Sequence, residues 1–93
     1  MPSQRTSSTI EVLLDLDRAS KSTLHHQLEQ QLRDAVRTGR FGAGMTLPST
    51  RALAAQLGVT RGVVVEAYEQ LASEGYLVTR PGGSTRVAEG IVE

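Results

Sequence analysis

Apolar residues return at helical spacing along three stretches of the chain. Leu24, Leu28, Leu32, Ala35 and Val36 fall at i, i+4, i+8, i+11 and i+12, opposite Gln27, Gln30, Gln31, Arg33, Asp34 and Arg37. That spacing predicts an amphipathic helix over residues 23–38, ended by Gly39. Leu53, Ala54 and Leu57 give a narrower stripe at i, i+1 and i+4. Its helix begins at Thr50 or Arg51 behind Ser49, a residue suited to cap orphan amides, and stops at Gly58, where positive φ costs little and Val59 can fold back on the last turn. Val64, Ala67, Tyr68 and Leu71 recur at i, i+3, i+4 and i+7 in a third helix, with Thr60 as its expected cap and Gly75 as its stop.

The period shortens elsewhere. YLVTR at 76–80 and TRVA at 85–88 favour strands, and Pro81-Gly82-Gly83-Ser84 between them suits a tight turn, so the two make a hairpin. FGAGMTL at 41–47 reads as a turn followed by a short strand at 45–47, with Phe41 a core plug. IEVLLDL at 10–16 alternates imperfectly, placing Ile10, Val12 and Leu14 on one side of a short strand or extended arm that packs on the domain or docks elsewhere. Residues 1–9 are polar and rich in Ser and Thr, as a disordered end is, and residues 17–23 read as a linker with helix-start chemistry at Ser22 or Thr23.

Two short helices around a glycine turn, followed at once by a small hairpin, give the expected fold class: mainly α with a small β-hairpin, a winged helix-turn-helix of three helices plus a wing. The helix-turn-helix places its second helix in the major groove of DNA. Its non-apolar face begins here with Arg61, Gly62 and Val65. Glycine-punctuated helix pairs also occur inside ordinary bundles, and a glycine such as Gly82 also closes hairpins that touch nothing.

Charge changes the picture. The chain of 93 residues carries no net charge, which argues weakly against nucleic acid. The average conceals a segregation: no acid lies between Asp34 and Glu66, where Arg37, Arg40, Arg51 and Arg61 fall, and none between Glu74 and Glu89, which hold Arg80 and Arg86. A fold that sets these stretches side by side makes one positive face able to collect phosphates through counterion release. The length fits one small domain, whose core, with 3% aromatic residues, rests on Leu, Val and Ala. There is no cysteine, so disulfides and thiolate metal sites are excluded. His25 and His26 have no acidic or cysteine partner at a ligand spacing and read as surface histidines. No nucleophile–base pair, metal cluster or phosphate-binding glycine loop supports an enzyme. No apolar run has membrane-spanning length and the first residues lack the apolar middle of a signal peptide, so a cytoplasmic location is expected.

LPSTRALAAQLGVTRGVVVEAYEQLASEGYL, residues 47–77, closely resembles the DNA-binding domain of the GntR family of bacterial transcription regulators. Its AYEQLASEGYL ending, with LDRASKSTLHHQLEQQLRDAVRTGRFGAGMTLPSTR upstream, looks most like the MocR subfamily, and the resemblance covers roughly residues 15–88. It implies an N-terminal arm over 1–20, partly disordered, a DNA-binding domain over 21–88 and the start of a linker at 89–93. It further implies a large aminotransferase-like, effector-sensing domain with pyridoxal phosphate in the longer regulator. No cofactor is expected in this chain, whose only lysine is Lys21.

Carried over residue by residue, the resemblance puts Arg51 and Arg61 on double-stranded DNA, with Thr60, Gly62 and Val63 at the helix entrance and Ser49 at the start of the preceding helix. The planar fork of arginine grips two acceptors of guanine, or a phosphate. Around the wing, Arg80, Gly82, Gly83 and Ser84 reach the backbone or minor groove. Two departures stand out. Val65 replaces an arginine common in the family and offers a methyl contact to thymine in its place. Arg86 stands where the subfamily's wing usually has an apolar residue, which leaves the wing's own contacts open. The isolated domain is expected to be monomeric and the longer regulator a homodimer. The alternative is a winged helix turned to protein–protein interaction, which would show a hydrophobic patch or an acidic face in place of the arginine-rich one.

Overall fold

Thr23 accepts from the amide of His26 through its hydroxyl and so starts the first helix, α1 (Leu24–Arg37), in a computed structural model that describes Leu14, residues 16–80 and residues 84–89. Leu28, Leu32, Ala35 and Val36 make its buried face, as the spacing predicts. Phe41, just beyond the end of α1, lies fully inside the core at 2% exposure, with its amide bonded to the Ala35 carbonyl.

The second helix, α2 (Thr50–Leu57), opens on Ser49, whose Oγ accepts from the Ala52 amide at 3.0 Å. It closes on Gly58 at φ 70°, and the Val59 amide reaches back to the Ala54 carbonyl at 3.0 Å. This is a left-handed terminus of the kind glycine adopts without strain. The third helix, α3 (Arg61–Ser73), buries Val64, Ala67, Tyr68 and Leu71. Gly75 at φ 91° ends it in the same manner, with the Tyr76 amide on the Leu71 carbonyl.

Thr60 departs from the expectation. Its extended backbone places it at the cap position of α3, yet its side chain makes no capping bond. The amide the hydroxyl would take, that of Val63, instead donates to Thr60's own carbonyl at 3.1 Å.

Strands β1 (Leu77–Thr79) and β2 (Thr85–Val87) pair antiparallel, with Leu77 opposite Val87 and Thr79 opposite Thr85. The short strand expected at 45–47 shrinks to a single bridge, Thr46 to Arg86, on the far side of β2. Three backbone bonds hold it there: Gly44 to Val87, Val87 to Met45 and Leu47 to Thr85. Gly44 at φ 80° and Pro48 confine the pairing to this length, since one turns the chain and the other starts the approach to α2. Leu47, Leu77 and Val87 face inward and join the helix faces in one core.

That core also takes in Leu14 and, at its edge, Leu16. Gln27 of α1 makes three bonds to the neighbouring backbone, accepting from the Asp17 amide at 2.7 Å and donating to the Asp17 and Ser22 carbonyls, each at 2.9 Å. Arg18 donates to the carbonyl of Gly58, so this segment reaches the turn between α2 and α3.

Candidate nucleic-acid interface

The position of α3 is set by polar contacts near its middle and just past its end. Near its middle the Tyr68 hydroxyl donates to the Pro48 carbonyl at 2.7 Å, tying α3 to the chain just before α2. Burial pushes the Tyr68 phenol well above its usual range, so it stays a neutral donor. Just past its last turn, Glu74 receives a forked pair of bonds from Arg33 of α1, Nε to Oε1 at 2.9 Å and Nη2 to Oε2 at 3.0 Å, and a third from Gln70 at 2.7 Å. The Arg33 and Gln70 bonds hold the Glu74 carboxyl below its ordinary value, and the Arg33 guanidinium is raised in turn.

With α3 so held, the starts of α2 and α3 meet. Arg61, the first residue of α3, donates from Nε to Oγ1 of Thr50, the first residue of α2, at 3.2 Å. Ser49 and Arg51 flank Thr50 in sequence, and both are exposed. Thr60, Arg61 and Gly62 are exposed on the other helix, and a Cβ added at Gly62 would lie 3.9 Å from Thr60 Oγ1. Five of the expected residues, Ser49, Arg51, Thr60, Arg61 and Gly62, therefore belong to two adjoining helix starts. Helix starts present unbonded amides and the positive end of the helix dipole. Among the described residues the amides of Arg61 and Gly62 have no acceptor, and the Arg51 guanidinium has no carboxylate partner.

Val63 stands apart from that open surface. It is half-buried and packs against the core, and its amide is engaged by Thr60. Val65 is half-buried as well. At the wing, Arg80 and Ser84 are exposed, while Pro81, Gly82 and Gly83, and with them the expected tight turn, lie outside the described residues. Arg86 is exposed on β2, alongside Val78 and Thr46 across the ladder.

Sequence reasoning missed the contacts between elements, the Arg33–Glu74 pair and the Tyr68–Pro48 bond among them, and three more lie around the candidate site. Thr50 holds Arg61, His25 Nδ1 stands 3.1 Å from Glu66 Oε1 of α3, and Arg18 meets Gly58. Each joins residues far apart in sequence, beyond any single-helix periodicity. His25 and Glu66 border a shallow cleft with Glu29, Glu69, Gln70 and Ser73. Among the described residues no cluster of three or more His, Cys, Asp or Glu is arranged to hold a metal ion, and no helix is long and apolar enough to cross a membrane.

Comparison with known proteins agrees with this arrangement. The family model described as bacterial regulatory proteins, gntR family, matches residues 24–87. The chain is 52% identical over 61 residues to the pyridoxine biosynthesis transcriptional regulator PdxR of Corynebacterium glutamicum, covering 66% of this chain and 14% of that protein. It is 42% identical over 76 residues to the probable rhizopine catabolism regulatory protein MocR of Rhizobium meliloti, covering 82% of this chain and 15% of that protein. The chain thus spans only a small part of the length of these relatives. Among solved structures, YtrA from Sulfolobus acidocaldarius, a GntR-family transcription factor, superposes with a TM-score of 0.79 at 30% identity, over 85% of this chain and 83% of that one. AraR(DBD) in complex with operator ORE1 superposes with a TM-score of 0.65 at 27% identity, over 82% of this chain and 95% of that one. The family match spans more than half of the sequence, so the chain belongs to the GntR family of bacterial regulatory proteins.

Proposed function

We propose that this chain binds double-stranded DNA sequence-specifically as the reading domain of a longer bacterial transcription regulator. In this reading α3 enters the major groove with its first turn leading, and the wing lies on the backbone or minor groove beside it. The observation that carries it is the junction of two helix starts, where Thr50 meets Arg61 and where Arg51 stands without a carboxylate partner among the described residues.

The amides of Arg61 and Gly62 and the hydroxyls of Ser49 and Thr60 seat a phosphate at this junction, while the charged forks of Arg51 and Arg61 supply attraction and base contact. Val65 presents methyl groups to thymine. Val63 supports the helix start from the core side, and Arg80, Gly82, Gly83 and Ser84 bring the wing against sugar and phosphate. The superposition on AraR(DBD), a domain captured with its operator, supports binding to double-stranded DNA.

The function is binding, without catalysis. The longer protein carries the aminotransferase-like domain and its pyridoxal phosphate, acts in the cytoplasm and pairs as a homodimer on a two-fold operator; the reading domain alone is a monomer. The domain boundaries follow the resemblance: an arm over 1–20, the reading domain over 21–88 and a linker from 89. A protein-interaction role would call for an apolar docking patch or an acidic face in place of the arginine-rich one; among the described residues Val78 is the one large hydrophobic side chain that stands exposed, and the exposed Arg51 and Arg61 stand at the two helix starts.

Selection of bound sites from random-sequence duplexes tests the proposal. A consensus half-site is the expected outcome. A recovered pool as random as the starting one overturns it.

A further inference from the structure

Arginine has two edges that can hold a pair of acceptors: the side edge, formed by Nε and one terminal nitrogen, and the end, formed by the two terminal nitrogens. Arg61 has spent its Nε on Thr50 Oγ1, at 3.2 Å. Its side edge is therefore closed to DNA, and its end is the fork that remains. Nothing else among the described residues bonds this guanidinium, and its side chain belongs to an exposed residue with several rotatable bonds. A free arginine of this kind loses considerable rotamer freedom when it docks.

We propose that Thr50 is a positioning residue for DNA reading: its hydroxyl holds the Arg61 guanidinium in advance so that the terminal nitrogens face the groove as a ready fork. This rests on the proposed DNA-reading role of Arg61 and adds a residue on a different helix to it. Thr50 suits the task because it is the first residue of α2, where the backbone is set by the Ser49 cap and the Leu53 amide's bond to the Ser49 carbonyl at 2.9 Å. Its Oγ1 is thus delivered by a rigid turn. Serine would keep the acceptor, whereas valine keeps the shape and removes it.

The arrangement also selects between bases. An end-on fork matches the two acceptors on the major-groove edge of guanine, O6 and N7. A guanidinium free to swivel would settle equally on a phosphate. Thr50 therefore contributes to preference more than to overall attraction.

The test uses the full chain and two duplexes: the consensus recovered by selection from random DNA, and the same duplex with its guanine replaced at the position most sensitive to Arg61→Ala. Fluorescence anisotropy gives the affinity for each. Thr50→Val should lower the preference for the consensus about tenfold, equivalent to about 1.4 kcal/mol, while Thr50→Ser stays within about twofold of the parent. In the Arg61→Ala background, Thr50→Val should change the preference no further. Circular dichroism melts establish that each variant is folded, and Thr50→Ala, an ordinary residue at a helix start, serves if the valine variant is not. A preference unchanged in Thr50→Val, or a loss of equal size with and without Arg61, overturns the positioning role and leaves the DNA-reading proposal intact. A parent chain with no sequence preference at all overturns both.

Discussion

The clasp between Arg33 and Glu74 holds the end of α3 on α1, and its strength follows from its geometry. The two bonds are 2.9 and 3.0 Å long and parallel, and the side chains are 22% and 29% exposed, so solvent screens the pair only in part. Exposed ion pairs contribute roughly 0.2–1 kcal/mol, and forked, charge-assisted geometry belongs at the top of that range, which makes the expected coupling about 1 kcal/mol. A double-mutant cycle of Arg33→Met and Glu74→Gln, read by urea unfolding followed by far-ultraviolet circular dichroism, isolates it. The pH dependence has a definite sign. Arg33 and Gln70 hold the Glu74 carboxyl below its ordinary 4.5, so the folded form releases the proton more readily than the unfolded one. The stability this supplies is complete above the ordinary value and is lost as pH falls through the lowered one. The raised Arg33 guanidinium stays charged throughout. Coupling should therefore be about 1 kcal/mol at neutral pH and should shrink as pH falls below the ordinary carboxylate value of 4.5. A coupling near zero at neutral pH, or one of equal size in acid, would refute the reasoning.

Three further outcomes are expected. Gly58→Ala must hold a β-carbon at φ 70°, with only an ordinary 3.6 Å contact to Arg18 Nη2; backbone strain then sets a net cost of about 1 kcal/mol, and Gly58→Asn, which tolerates that region better, should lose about half as much in the same melts. Tyr68→Phe removes the 2.7 Å bond to the Pro48 carbonyl and should cost about 1 kcal/mol by urea unfolding; because burial raises the phenol, the parent should also lose stability as pH climbs past the ordinary tyrosine value of 10.0, and the variant should lack that loss. Arg40 is exposed and has no carboxylate partner among the described residues; Arg40→Ala should weaken binding to all duplexes alike and reduce the slope of log affinity against log salt by about 0.9 if it meets one phosphate.

Helix ends were the most legible part of this fold, because their causes are local. Thr23, Ser49, Gly58 and Gly75 act within a few residues of themselves, and each stands where the sequence places it. Thr60 shows the limit of that logic: it holds the cap position, but competition from its own carbonyl for the Val63 amide is a matter of backbone detail that residue type does not encode. The expected strand at 45–47 survives as a single bridge for a similar reason, since its pairing depends on where β2 runs. Within the candidate site the two arginines were visible as residues, whereas their relation was not. The contact of Arg61 with Thr50 spans the angle between two helices, and that angle is set by Gly58, by Tyr68 on Pro48 and by the packing of Val64 and Leu53. The same holds for His25 with Glu66, which no spacing along α1 announces.

How a chain with no net charge reads a polyanion follows from the distribution of its acids on the proposed docking helix. Non-specific affinity grows with the number of phosphates neutralised, so a strongly basic domain binds everywhere. Here the arginines sit at the helix starts, while Glu66 and Glu69 stand exposed farther along α3 and Glu74 is taken up by Arg33. With α3 in the groove, exposed carboxylates come within about a Debye length of the phosphate backbone, where repulsion is only partly screened. Repulsion of this kind falls on every sequence alike, but only a matching site returns the base contacts that offset it. Glu66 stands 3.1 Å from His25 Nδ1 of α1. The neutral total is therefore compatible with DNA reading: an equal repulsion lowers affinity for every duplex and leaves the difference between matching and non-matching sites to the base contacts, since specificity is the difference between the two bound states.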